Sequence, residues 1–241
     1  MIRGSVLERI AAAACPTPQD LVIEIGPGRG ALTARLLQRA ARVVAVEVDP
    51  YLAGHLRAKF AGEPRLEIVE ADVLDADLAA WGPAVIAGNL PYYIASPILD
   101  KAVRAAPLRA VFLIQKEVAQ RLAARPGEPD YGFLTVRTAL FAGAKLLFEV
   151  KPSAFHPPPK VDSAAVLLEP RRPALGAGET DEFLRFAGQC FHHKRKTLRN
   201  NLAEIYGRET VDSWPEAGLR AEQISLDGLL EIFGRVGRLR T

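Results

Sequence analysis

Five short apolar runs, at residues 21–25, 43–47, 66–69, 84–87 and 111–114, alternate with longer stretches of helical spacing. Strands that are apolar on both sides and separated by helix-length segments pair in parallel, with helices covering both faces. The pattern therefore predicts an α/β fold with a doubly wound sheet. Two later runs, 145–150 and 163–168, flank Phe155-His156-Pro157-Pro158-Pro159-Lys160 with no helix-length stretch between them. They are expected as an antiparallel pair whose prolines are confined to the connection. Ser5 followed by Glu8 has the capping-box spacing and predicts a first helix over 6–14. After Arg171-Arg172-Pro173 and the Gly176-Ala177-Gly178 link, helical spacing returns at about 180–206, 209–217 and 225–236. A domain boundary is placed near 172, giving a first domain over 1–172 and a small all-helical domain over 173–241.

The 241 residues suffice for one α/β domain and a smaller appendage. Lys and Arg number 31 against 28 Asp and Glu, so a net charge of +3 permits a polyanionic partner without requiring one. Two cysteines, Cys15 and Cys190, are too few for a disulfide framework or an all-cysteine zinc site, which suits a reducing cytosol. No stretch approaches the roughly 20 apolar residues of a membrane span. A soluble cytoplasmic protein with no membrane partner is expected.

The first apolar run leads into Gly26-Pro27-Gly28-Arg29-Gly30 and then into helical spacing. Such a turn leaves backbone N–H groups and the positive end of a helix beside a crevice, where a nucleotide-like ligand fits. The glycine spacing departs from G-x-G-x-x-G, which weakens a nicotinamide reading. Glu47 ends the second run, where an acidic side chain can accept from both ribose hydroxyls. Asp72 follows the third run, where a carboxylate can accept from an adenine amine.

Asn89-Leu90-Pro91-Tyr92 follows the fourth run. An adenine amine is a poor nucleophile because its lone pair is delocalised into the ring. It carries two N–H donors, so the Asn89 side-chain oxygen and a backbone carbonyl held out by rigid Pro91 can bind both and favour a pyramidal nitrogen. Tyr92 supplies a flat face for an unpaired base. No strong general base is required, because the amine proton becomes acidic only after methylation.

Together, residues 22–33, Glu47, Asp72, 89–97, 115–122, 155–163, 191–202 and 220–226 resemble the bacterial ribosomal RNA adenine N6,N6-dimethyltransferase family over nearly the whole chain. The resemblance implies a Rossmann-like class I catalytic domain that uses S-adenosylmethionine, followed by a helical domain. It implies dimethylation of two adjacent adenines in a hairpin loop near the 3′ end of small-subunit rRNA, within the pre-30S particle, by a monomer. On that basis Glu24, Gly26, Gly28, Glu47, Asp72, Val73 and Asn89 are expected at the methyl donor. Asn89, Leu90, Pro91 and Tyr92 form the amine site, with Phe155 as a second stacking face. Lys194, Arg195, Lys196 and Arg199 form a basic segment for RNA phosphates. Cys190, His192 and His193 are expected to bind no metal, because a helix splays those spacings apart and adjacent cations oppose it.

The family opens with a basic stretch and a Gly-Gln-x-Phe-Leu segment over the donor, whereas this sequence begins at Met1-Ile2-Arg3-Gly4-Ser5, inside or just after it. Weaker donor binding than in an extended version is expected. The rival readings are a large-subunit rRNA methyltransferase of the macrolide-resistance type, a non-catalytic binding relative, a DNA adenine methyltransferase and a nicotinamide dehydrogenase. The C-terminal segments favour the small-subunit enzyme over the first, and intact Asn89, Pro91 and Tyr92 oppose the second. DNA enzymes typically carry a second proline where Leu90 stands, and a dehydrogenase gives no reason for Asn89 to Tyr92.

Overall fold

Seven strands form one sheet in the computed structural model, which describes residues 2–172 and 175–238. They are β1 (Gln19–Ile25), β2 (Ala40–Glu47), β3 (Leu66–Glu70), β4 (Val85–Asn89), β5 (Arg109–Gln115), β6 (Ala142–Val150) and β7 (Ser163–Pro170), in the order β3-β2-β1-β4-β5-β7-β6. The first five are mutually parallel, and β7 runs antiparallel to both β5 and β6. The last pair is the expected one, with the proline-rich segment between its strands. Val22, Ile23, Val43, Val44, Val111 and Phe112 are all fully buried, as strands covered on both faces require.

The helices here are α1 (Gly4–Ala14), α2 (Thr33–Leu36), α3 (Pro50–Lys59), α4 (Ala95–Arg104) and α5 (Lys116–Ala123). Helix α1 buries Val6, Leu7, Ile10 and Ala14 against Val22, Val85, Val111 and Leu113. Burial of each large aliphatic side chain there contributes about 1.5–3 kcal/mol. The capping box expected at its start is absent. Arg3 stands at the N-cap without a side-chain bond, and Ser5 lies inside the helix. Glu8 instead pairs with Arg39, and its other oxygen lies 3.5 Å from Arg35 Nη1. Helix α3 does have a built start, because Asp49 Oδ1 accepts from the N–H groups of Tyr51 at 2.8 Å and Leu52 at 3.4 Å, with Pro50 at the first position. Helix α2 is only four residues within a run of turns, so the helix dipole expected behind the glycine loop is small.

Backbone contacts divide the chain into two units, Met1–Ala119 with Phe141–Arg171, and Gln120–Leu140 with Arg172–Thr241. A boundary near 172 places 120–140 in the first domain. The structure puts it with the second because its polar groups are satisfied there: Tyr131 donates to Ile224 O at 2.9 Å and Gly127 N–H to Glu222 O at 2.7 Å. Pro173, at the expected boundary, lies outside the described residues.

The second unit contains α6 (Phe133–Ala139), α7 (Ala177–Cys190), α8 (Leu198–Tyr206), α9 (Arg208–Asp212) and α10 (Leu226–Arg238). Phe183 and Phe186 pack against Phe233 with ring centroids 5.6 and 5.8 Å apart. The helix expected over 180–206 is interrupted at 191–197, so Lys194, Arg195 and Lys196 lie in a loop, while Arg199 lies in the first turn of α8. A continuous helix would stack like charges a turn apart, whereas the loop is held by one amide. Asn201 Oδ1 accepts from His193 N–H at 3.1 Å, and its Nδ2 donates to Cys190 O at 3.0 Å and His193 O at 3.3 Å. Helix α9 stops short of the expected 217 because Pro215 cannot continue it.

Candidate active site

The order of strands reverses between β1 and β4, and a crevice opens beyond their carboxyl ends, where doubly wound sheets bind ligands. It is a cavity of about 360 Å³ lined by Gly26, Gly28, Glu47, Asp72, Val73 and Asn89, with Val46, Val48, Leu52, Pro91 and Tyr93 among the remaining wall residues. The loop that enters it carries Gly26, Gly28 and Gly30 at φ of 66°, 57° and 72°, a left-handed region that disfavours side chains. A Cβ on Gly26 or Gly28 would meet nothing within 4 Å, so the backbone of both faces open space. Gly30 differs, because its Cα faces the Phe60 ring and Leu56. Lys59 braces the loop, donating to Arg29 O at 2.7 Å and Gly30 O at 3.3 Å.

Glu47 is 5% exposed, and its Oε2 accepts from Gly28 N–H at 2.9 Å while Oε1 accepts from Asp49 N–H at 3.1 Å. A carboxylate offers about four acceptor positions, so it fixes the loop and keeps capacity for a vicinal diol. Asp72 Oδ1 accepts from Leu74 N–H at 2.9 Å, and Oδ2 has no protein partner among the described residues. Apolar walls with two carboxylates and one amide suit a cationic nucleoside such as S-adenosylmethionine better than a pyrophosphate-bearing dinucleotide.

Glu24 does not line this cavity. It is 1% exposed and accepts from the Thr33 hydroxyl at 2.5 Å; burial pushes its carboxyl up to about 7, and the neighbouring Glu47 adds to the shift. Its carboxyl is spent on Thr33 at the start of α2, so the structure does not bring it to the cavity with the other residues expected at the donor.

A second cleft, of about 350 Å³, is lined by Asn89, Leu90, Pro91, Tyr92, Phe155 and Pro157 to Pro159. Asn89 and Pro91 are the wall shared by the two cavities. The Asn89 side chain has no hydrogen bond to protein among the described residues. Leu90 is 1% exposed and anchors the segment, its N–H donating to Leu113 O at 3.0 Å. The Pro91 carbonyl accepts from Ile94 N–H at 3.2 Å, so the acceptor left to the cleft is the carbonyl of Leu90, held out by the proline that follows it. Tyr92 is tied at its hydroxyl to buried Ser163 Oγ at 2.6 Å. Phe155 pairs with Ile2 in a backbone bridge, next to an Arg3 N–H bond to Ala154 O at 2.8 Å.

Of the residues expected here, Gly26, Gly28, Glu47, Asp72, Val73 and Asn89 meet in the first cavity, and Asn89, Leu90, Pro91, Tyr92 and Phe155 in the second. Sequence reasoning missed Val48 and Tyr93, 64% and 89% exposed, and the walls made by Pro157, Pro158 and Pro159. Val48 and Tyr93 adjoin Glu47 and Tyr92, and the three prolines follow Phe155 within four residues; that proximity was the available signal.

In the second unit Arg195 and Lys196 are exposed, with side chains that have no partner among the described residues. Lys194 Nζ donates to Pro129 O at 2.6 Å and Arg199 pairs with Asp212. Half of the expected basic set is therefore already engaged.

Residues 2–227 match the family described as ribosomal RNA adenine dimethylase. A Chlorobium chlorochromatii protein named ribosomal RNA small subunit methyltransferase A is 43% identical over 227 residues, covering 91% of this chain and 84% of its own. One of the same name from Gloeobacter violaceus is 42% identical over 246 residues, covering 97% and 89%. Among solved structures, a dimethyladenosine transferase from Plasmodium falciparum superposes with a TM-score of 0.79 at 25% identity, covering 98% of each chain. The 23S rRNA methyltransferase ErmE gives 0.71 at 33% identity, covering 97% of each. A match over almost the entire length, on a chain whose two cavities share an Asn-Pro wall, means that this chain belongs to the ribosomal RNA adenine dimethylase family.

Proposed function

We propose that this protein transfers methyl groups from S-adenosylmethionine to N6 of two adjacent adenines in the 3′-terminal hairpin loop of 16S rRNA, on the pre-30S particle. It acts as a monomer in the cytoplasm, and among the described residues no helix is long and apolar enough to cross a membrane. The observation that carries the reading is the wall of Asn89 and Pro91 common to both cavities, because a methyl held on one side then faces an amine held on the other.

When bound, S-adenosylmethionine supplies an electrophilic methyl group on a sulfonium. Glu47 accepts from the ribose hydroxyls, Asp72 from the adenine amine of the donor, and Gly26 and Gly28 allow close approach of the backbone. The target base lies between Tyr92 and Phe155, and a loop base costs less to extrude than a paired one. Asn89 Oδ1 and the Leu90 carbonyl accept the two amine N–H bonds, and both are preorganised by the short segment that Leu90 and Pro91 pin. The transfer would exchange the donor's sulfonium S–CH3 bond for an N–CH3 bond, the electron pair staying on sulfur to leave a neutral thioether, and the surplus amine proton would then leave to water. Arg195 and Lys196 neutralise phosphates of the same RNA.

Asn89→Ala removes one of two preorganised acceptors. Methyl transfer should fall by about 10²–10³ in kcat while particle affinity stays unchanged. Retained activity would place the amine site elsewhere. ErmE, a relative of similar fold, is named for 23S rRNA. The relatives named for the small subunit reach 43% identity against its 33%, which favours the 16S target.

A further inference from the structure

Two tyrosines that adjoin in the sequence part at the wall shared by the cavities. Tyr92 lines the second cleft with its hydroxyl tied to Ser163, whereas Tyr93 lines the first cavity. The Tyr93 side chain is 89% exposed and its hydroxyl has no partner among the described residues, so it contributes little to the fold. Of the described residues that line the first cavity, Tyr93 is the one aromatic, and none carries a positive charge. The two carboxylates stand apart from it. Strand order β3-β2-β1-β4 puts Glu47, at the end of β2, and Asp72, just past β3, on the other side of β1 from the segment that leaves β4. Tyr93 belongs to that segment, two residues beyond Pro91, at the wall where a methyl group must sit to meet an amine in the second cleft. The methyl is carried by a sulfonium, so the cationic centre of the donor comes to the end of the cavity that offers a ring.

A cation is attracted to the negative face of an aromatic ring, more strongly where water is excluded. We propose that Tyr93 selects the charged donor, its ring taking the sulfonium of S-adenosylmethionine. Methyl transfer leaves the electron pair on sulfur and turns the cation into a neutral thioether, which the ring no longer attracts. The residue therefore favours the loaded donor over the spent one, while Tyr92 beside it serves the base. An aliphatic side chain would cover the donor equally well and could not tell the two apart. The inference rests on the reading of the first cavity as the donor site and adds the residue that reads the charge.

The test uses the full chain and calorimetric titrations with S-adenosylmethionine and with its neutral thioether product, S-adenosylhomocysteine. Tyr93→Leu keeps apolar bulk and loses the ring, so Kd for S-adenosylmethionine should rise about three- to tenfold while Kd for the thioether moves by less than about twofold. Tyr93→Phe keeps the ring and should bind both ligands as the unaltered protein does. The position is exposed, so thermal melting without ligand should be the same in all three proteins. Equal weakening of both ligands in Tyr93→Leu would make the side chain a cover for the shared adenosine and overturn the proposal, as would unaltered binding of both. So would a selective loss of S-adenosylmethionine in Tyr93→Phe, which would put the recognition on the hydroxyl. Failure of the underlying reading looks different: the unaltered protein would then bind neither ligand.

Discussion

Two glycines of the same loop should respond to alanine in opposite ways. Both sit at positive φ, 57° at Gly28 and 72° at Gly30, and a left-handed alanine costs about 1–2 kcal/mol at either. Their surroundings differ. A Cβ on Gly28 enters open cavity, whereas one on Gly30 would lie 2.5 Å from Phe60 Cε2 and 2.7 Å from Leu56 Cδ2. Leu56 is fully buried, so relief must come from the Phe60 ring, and overpacking adds about 1–3 kcal/mol. Gly30→Ala should therefore lose about 2–5 kcal/mol and Gly28→Ala about 1–2 kcal/mol. At about 2–4 °C per kcal/mol for a chain of this size, Gly30→Ala melts several degrees below Gly28→Ala. Donor affinity should rank the other way. The new methyl at Gly28 occupies space where the donor binds and disturbs the N–H bond to Glu47, which should weaken binding tenfold or more, about 1.4 kcal/mol. Thermal melting by circular dichroism and calorimetric titration with S-adenosylmethionine measure the two effects separately. Equal melting points, or a Gly28→Ala protein that binds the donor normally, would refute the reasoning.

Substitutions at two further positions give separate tests. Glu24 has a folded pKa of about 7 against an ordinary 4.5, so the folded state holds an extra proton between those values. Stability should then fall as pH rises from about 4.5 to 7, by about 3 kcal/mol in all, and level off above. Glu24→Gln keeps an acceptor for the Thr33 hydroxyl and should lose that slope in urea titrations at pH 5 and 7.5; parallel pH dependence in both proteins would exclude Glu24 as its source. Tyr92→Phe loses only the bond to Ser163 and should keep activity within about tenfold, whereas Tyr92→Ala also loses a stacking face worth about 1–3 kcal/mol and should raise KM for the RNA accordingly. Equal activity of the two variants would remove Tyr92 from the base site.

The strands were legible because a buried parallel sheet writes unbroken apolar runs, and their carboxyl ends carried Gly26, Glu47, Asp72 and Asn89 into one crevice. What escaped the sequence depended on partners far along the chain. Glu8 left its capping role for Arg39, and residues 120–140 joined the second unit through hydrogen bonds to Glu222 and Ile224. The break at 191–197 follows from an Asn201 side chain that reaches back to the loop. Glu24 sits on a strand whose two faces are both buried, so its position in the series could not tell a ligand contact from a support. The choice of the Leu90 carbonyl over that of Pro91 became visible only once Ile94 was seen to use the latter.

The central claim is that the two cavities joined at Asn89 and Pro91 place methyl groups on adenine N6 in small-subunit rRNA. It is tested most directly by incubating the protein with isotope-labelled S-adenosylmethionine and undermethylated small- and large-subunit particles, followed by nuclease digestion and mass spectrometry. Labelled N6,N6-dimethyladenosine is expected at two adjacent positions in the 3′-terminal hairpin loop of 16S rRNA, with none in 23S rRNA. Label confined to the large subunit, or no dimethyladenosine on either particle, would contradict it.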